Sequence, residues 1–383
     1  MELLRSVIKM RGPFERKPDF NRFVRAITTR EPGPVPFGDI FADYDTVGKY
    51  LQEPVFDYAA LIQPNAKLTT SLVLGGLKYL DQSIRFCLGN GWDYTYCFSI
   101  IPFPGITYRD TETPTAEEQG RRRYYMKDYE GPIRNQDDFE RYAWPQDFHG
   151  INTLARLMAK RVPDGMKVMV IPGGLFEWTT WLMGMVPFSY ALADQPDLVD
   201  AIIAKVGGII YAVIEDMMNE PNIGGIFLGD DMGFATGTFV SPAMLRHKFF
   251  PHMKRVADLI HSAGKVFVLH SCGNVYTVMD DLIAAGIDAK NSFEDKIMPV
   301  EQVYQRWGEH VALIGGVDMN LLASGDEAQV RVRTRQILDV CGTGGHYVLG
   351  TGNSVANYLP LQNYQAMLDE GRKWNKEHFG REY

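Results

Sequence analysis

The chain has 383 residues, a net charge of −8, 45% hydrophobic residues and 12% aromatic residues. This is globular composition with enough apolar side chain for a large core, and it excludes extended disorder away from the termini. The acidic balance, with no basic run longer than RRR at 121–123, argues against nucleic acid as a partner, and no apolar run reaches the length of a membrane span.

Short apolar runs recur at 34–39, 94–100, 167–172, 225–229, 266–270, 289–293, 311–316 and 346–350, most of them ending in Gly, Asp, Ser or Asn. Each reads as a strand. Amphipathic stretches lie between them, at 198–219, at 241–263 and at 275–285. In the second of these, Ser241 suits the cap, Pro242 the first turn and Gly264 the stop, and Gly286 suits the end of the third. Eight strands alternating with helices predict α/β architecture closed as a (β/α)8 TIM barrel. A single domain over 1–383 is expected, with an N-terminal extension at 1–30 and an insertion at about 101–165 between the second and third strands. That insertion is expected over the catalytic mouth, with a small hairpin within 107–129. Its basic run, followed by Tyr124 and Tyr125, reads as a solvated face, with a grip on an anion as the alternative.

Four cysteines (Cys87, Cys97, Cys272, Cys341) make neither a disulfide framework nor the paired spacing of a zinc finger, which fits a reducing cytoplasm. The start, MELLRSVIKMRG, lacks a signal-peptide core, so a soluble cytoplasmic protein is expected.

In such a barrel the active site collects at the C-terminal strand ends. In order these hold Asp39, Ser99, Glu177 and Trp178 after Gly173 and Gly174, Asp230 and Asp231, His270 and Cys272, Asn291 and Glu294, Asp318, and Thr351 and Asn353. Within LHSCGN, period-two geometry points His270 and Cys272 the same way, so two ligands of borderline softness form half of a zinc site open to catalysis; packing is the alternative. Asp230 and Asp231 face opposite ways, so at most one enters the pocket, to complete a metal site or hold a proton, while the other caps a segment or binds an Arg. Glu294 could do the same job from the next strand. Trp178 and Trp181, three apart on one helical face, line a pocket or fill core. The two glycines around Thr351 lack the rest of a phosphate loop.

The runs PGGLFEWTTWLMG, GDDMGFATGTFVSP, KVFVLHSCGNV, AAGIDAKN, IGGVD and LGTGNSVANYLPLQNYQAM together resemble the uroporphyrinogen decarboxylase superfamily, from about Lys167 to the C-terminus. Within it the chain looks like the cobalamin-dependent methyltransferase branch, similar to the first component of O-demethylase systems of anaerobic metabolism. The decarboxylase's Arg-rich N-terminal signature is missing, the acid of its FSD-like run is replaced in CFSII by Ile100 after Ser99, Trp181 stands where it has Tyr, and Gly350, Thr351 and Gly352 stand where it has GHG. The methyltransferase branch places zinc on a His-x-Cys pair and a late Cys. His270 and Cys272 match the pair, and Thr351 replaces the late Cys, so Asp230, Asp231 or Glu294 substitutes or zinc is absent.

The resemblance implies transfer of a methyl group from a small methylated substrate, foremost an aryl methyl ether, to cob(I)alamin on a partner corrinoid protein; a decarboxylase or lyase is the alternative. It implies Asp230, Asp231, His270 and Glu294 in catalysis and Trp178, Trp181, Asn291 and Asn353 around substrate or cofactor. Cobalamin is the expected cofactor, with zinc a candidate, and a homodimer is a candidate assembly.

Overall fold

The apolar runs become strands because each is too short for a stable helix and ends in residues that break extended pairing. The computed structural model describes residues 17–55, 70–106, 108–111, 123–126 and 129–380. Its strands are β1 (Tyr94–Phe98), β2 (Tyr108–Thr111), β3 (Arg123–Met126), β4 (Lys167–Ile171), β5 (Ile223–Gly229), β6 (Gly233–Phe234), β7 (Gly237–Thr238), β8 (Val266–His270), β9 (Ala289–Asn291), β10 (Ala312–Ile314) and β11 (Tyr347–Val348). Seven form one sheet in the order β1-β4-β5-β8-β9-β10-β11, with every neighbouring pair parallel. Helices cross over between them, as parallel pairing requires.

The first predicted strand, 34–39, is reduced to a single bridging residue. Phe37 makes parallel bridges to both Trp92, beside β1, and Leu349, beside β11, so the two sheet edges meet across it. Gly38 N donates to Leu349 O at 3.0 Å and Leu349 N donates to Pro36 O at 2.9 Å. Pro34 and Pro36 have no N–H to give, which explains why this segment joins the ring at one point rather than along a ladder.

Helix Phe20–Thr28, within the expected N-terminal extension, packs against the N-terminal ends of the strands. Phe20 N donates to Gly165 O at 2.7 Å, just before β4, and Arg22 forks onto Asp93, just before β1, at 2.6 and 2.8 Å. Phe20, Phe23 and Ile27 are buried, and the Phe23 ring lies 4.7 Å from that of Tyr94. This end of the sheet is thereby covered. Trp92, Tyr94 and Tyr96 are fully buried.

Between β1 and β4, strands β2 and β3 pair antiparallel as the predicted hairpin, followed by helices Gln136–Arg141, Phe148–Ile151 and Thr153–Ala159. Arg121 and Arg122 of the basic run lie outside the described residues. The expected helix at 241–263 begins at Ser241, whose side chain accepts from Met244 N, but a π-helical turn, Leu245–Phe249, precedes the α-helix Phe250–Ser262. Pro251 lacks the N–H that a regular ladder needs, and the wider turn absorbs the missing bond.

Phe37→Ala removes a buried ring at the closure point. We expect it to lower unfolding free energy by about 3–5 kcal/mol, read as a fall in the urea midpoint; an unchanged midpoint would show that closure contributes little.

Candidate functional site

The hydrogen-bond ladder continues past the strand ends and fixes the loops that carry the polar residues. Asp230 N donates to His270 O at 2.9 Å, Ser271 N to Asn291 O at 2.9 Å, and Phe293 N to Gly352 O at 2.8 Å. This brings Asp231, His270 and Cys272 together, with one ligand atom from each lying within 4.8 Å of the others. His270 Nε2 is 3.4 Å from Cys272 Sγ and 3.7 Å from Asp231 Oδ1. A tetrahedral zinc ion with ordinary bond lengths would space sulfur from imidazole nitrogen by about 3.5 Å and nitrogen from carboxylate oxygen by about 3.4 Å, so the donor set fits such an ion.

Surrounding bonds orient each donor. Asn291 Oδ1 lies 2.5 Å from His270 Nδ1, which places the proton there and leaves the Nε2 lone pair facing the cluster. Asn291 is itself held by Ile314 O at 2.8 Å. Asp231 Oδ1 accepts from Cys272 N at 2.7 Å. Asn353 Nδ2 donates to Cys272 Sγ at 3.1 Å, and Ser292 Oγ sits 3.9 Å from the same sulfur. Gly273, straight after the thiol, has φ +75°, and a Cβ there would lie 2.3 Å from the Gly233 backbone. Only glycine lets these two loops meet.

Burial holds His270 below the usual imidazole range against the pull of Asp231, so the ring is neutral and able to ligate. Burial, and then Asp231, push the Cys272 thiol up. The thiol is therefore protonated at neutral pH unless a cation takes its charge.

The two adjacent aspartates part as expected. Asp231 joins the cluster, while Asp230 accepts from Glu177 N at 2.9 Å and Phe176 N at 3.2 Å at the start of helix Leu175–Met183. A Cβ on Gly174 would lie 2.2 Å from Asp230, so that glycine makes room for the cap. The Glu177 carboxylate accepts from the Asp231 backbone, and burial, then Asp231 and Asp230, push it well above the usual carboxylate range. Trp178 is buried, donates to Pro172 O at 3.2 Å, and packs against Phe103 at 4.9 Å and Trp181 at 5.0 Å. Trp181 is partly exposed.

Other strand-end candidates stand apart. Glu294 is exposed and lies outside the three-donor cluster. Ser99 bonds Asn152 Oδ1 at 2.8 Å in a buried network, and Asp318 caps helix Met319–Ser324 through Asn320 N at 2.8 Å. Thr351 is buried and bonded to Asp39 rather than to the cluster. Lys290 and Ser292 flank Asn291 and also neighbour the cluster. Lys290 is fully buried, donates to Ser292 O at 2.6 Å and Ser271 O at 3.3 Å, and burial brings it down to about 8. Its signal was a lone cation inside an apolar strand.

The family model for uroporphyrinogen decarboxylase (URO-D) matches residues 127–374. Among curated proteins, the uroporphyrinogen decarboxylase of Bordetella petrii is 25% identical over 264 residues, covering 64% of this chain and 70% of that protein. That of Paraburkholderia phytofirmans is 21% identical over 256 residues, covering 62% and 68%. Among solved structures, a methyltransferase from Methanosarcina mazei superposes with a TM-score of 0.66 at 16% identity over 92% of this chain and 98% of that one, and so shares the fold.

Burial pushes Asp230 up from the usual carboxylate range to about 7. The folded chain thus binds this proton more tightly than the unfolded chain, and the stability it contributes is present below about pH 4 and is lost as pH rises through about 7. Asp230→Asn cannot ionise. Urea unfolding at a series of pH values should show a flatter decline for the variant across that window; parallel curves would mean that the carboxyl is ionised throughout.

Proposed function

The chain belongs to the uroporphyrinogen decarboxylase family, and from that premise we propose that it is a methyltransferase moving a methyl group from a small methylated substrate, foremost an aryl methyl ether, to cob(I)alamin on a partner corrinoid protein. The observation that carries this reading is the convergence of Asp231, His270 and Cys272 on one point. The family's decarboxylation substrate carries several carboxylates, which call for clustered cations. Here the cluster is instead neighboured by Glu177 and Asp230 and by the amides of Asn291 and Asn353.

An aryl ether gives up its methyl only to a strong nucleophile and only if the departing phenolate is neutralised. Cob(I)alamin on the corrinoid protein is that nucleophile; the carbon–oxygen bond breaks, the methyl goes to cobalt, and the oxygen keeps the electron pair. Zinc held by Asp231, His270 and Cys272 would supply a Lewis acid for that oxygen. The residues do the rest. His270 presents a neutral Nε2, and Asp231 holds the Cys272 main chain in place. Burial, then Asp231 and Asp230, raise the Glu177 carboxyl well above the usual range, which suits it to hold a proton for the leaving oxygen. Trp181, partly exposed and backed by the buried rings of Trp178 and Phe103, offers ring surface for an aromatic substrate. The corrinoid protein would dock at the C-terminal strand ends, because its cofactor must reach this cluster.

The test follows cob(I)alamin absorbance with the purified protein, reduced cobalamin or a corrinoid protein, and guaiacol-like ethers, methylamines and methanol, before and after chelation. Conversion to methylcobalamin with the ethers is expected, with sensitivity to chelator. Cys272→Ser, His270→Gln and Asp231→Asn should each lower the rate by about 100-fold or more. No conversion across the panel would overturn the reading and return weight to a decarboxylase or lyase.

A further inference from the structure

Asp39 is fully buried at the end of the closure segment, and among the described residues no cation shifts its titration. Its Oδ1 accepts twice from Thr351, from N and from Oγ1, each at 2.8 Å. Among the described residues its Oδ2 has no hydrogen-bond partner. Burial pushes the carboxyl well above the usual range, against the pull of the two bonds from Thr351. A lone acid placed so deep costs stability unless it does something that an apolar residue could not.

The bonds lead to the candidate site. Thr351 Oγ1, with its proton given to Asp39, accepts from Asn353 N at 3.3 Å, and Asn353 Nδ2 donates to Cys272 Sγ at 3.1 Å and to Ser292 Oγ at 3.4 Å. Thr351 stands where the resemblance leads one to expect a third ligand, yet its hydroxyl faces Asp39 and not the donor cluster. We propose that Asp39 is a positioning residue: through Thr351 it sets the turn that fixes the Asn353 carboxamide against the Cys272 sulfur. The consequence for metal binding rests on the reading of Asp231, His270 and Cys272 as ligands; the positioning of Asn353 does not.

The test uses the full chain with Thr351→Val, Asp39→Leu, Asp39→Asn and Asn353→Ala, plus the double variant Thr351→Val/Asn353→Ala. The first readout is the rate at which iodoacetamide modifies Cys272 in the metal-free protein at one fixed pH, mapped by mass spectrometry; the second is Co2+ affinity and the sulfur-to-cobalt absorption band. Asn353→Ala should change the alkylation rate by about threefold or more and weaken Co2+ binding by about tenfold, and Thr351→Val and Asp39→Leu should reproduce both changes. Asp39→Asn keeps an acceptor oxygen and should restore parental behaviour. In the Asn353→Ala background, Thr351→Val should add nothing, the signature of two residues acting in one chain.

Parental alkylation in a folded Thr351→Val, or additive effects in the double variant, would overturn the proposal. If Asp39→Leu fails to fold, Thr351→Val decides. If the parent binds no Co2+, the metal reading falls while the alkylation series still decides the positioning.

Discussion

Two main-chain hydrogen bonds, one on each side of Phe37, set the geometry on which the site depends. They tie residues 36–38 to Leu349 while Phe37 also bridges to Trp92, and the parallel sheet has no loose edge there. An open parallel sheet would leave unpaired N–H and C=O groups and let its first and last strands splay. Closure instead brings Asp39, from the beginning of the described chain, against Thr351, more than three hundred residues later. The bonds running from Asp230 to His270, from Ser271 to Asn291 and from Phe293 to Gly352 carry the same register across the strand ends. The cluster is thus a product of parallel pairing, in which every C-terminal end reaches one rim.

That rim is crowded with acid. Glu177, Asp230 and Asp231 gather beside the cluster, and their oxygens are met mostly by backbone amides. Three carboxylates so close cannot all ionise cheaply in a poorly solvated place, and the rise in Asp230 and Glu177 is the physical result. A carboxyl raised in this way can donate a proton, and Asp231, with a thiol and a neutral imidazole, forms a cation site. The arrangement separates the two roles by where each carboxyl points: Asp230 into the helix start, Asp231 toward the sulfur.

How much of this was legible in the sequence follows from the range of the interactions. All eight strand positions were readable because each is a local apolar run with its own terminator, although the first survives only as the bridge at Phe37, its prolines having removed the donors. His270 and Cys272 were readable as a pair because period two is a local rule. The choice between Asp230 and Asp231 was not, since it turns on Gly174 making room for one of them fifty-six residues earlier. Glu294 had the right chemistry one strand along, but its backbone turns it to solvent. Lys290 was passed over because a lysine in sequence reads as surface; only the fold shows its ammonium held by the carbonyls of Ser271 and Ser292.

The burial of Lys290 has a bearing on the conditions under which the site works. Its ammonium also lies 4.6 Å from the centre of the Phe293 ring, behind the loop that carries Cys272. Mobile ions damp the field of surface charges within about 10 Å at moderate salt but do not enter a packed interior. The field that this cation imposes on the sulfur is therefore set by protein and not by the surrounding electrolyte, and it persists through osmotic swings that would blunt a surface charge patch.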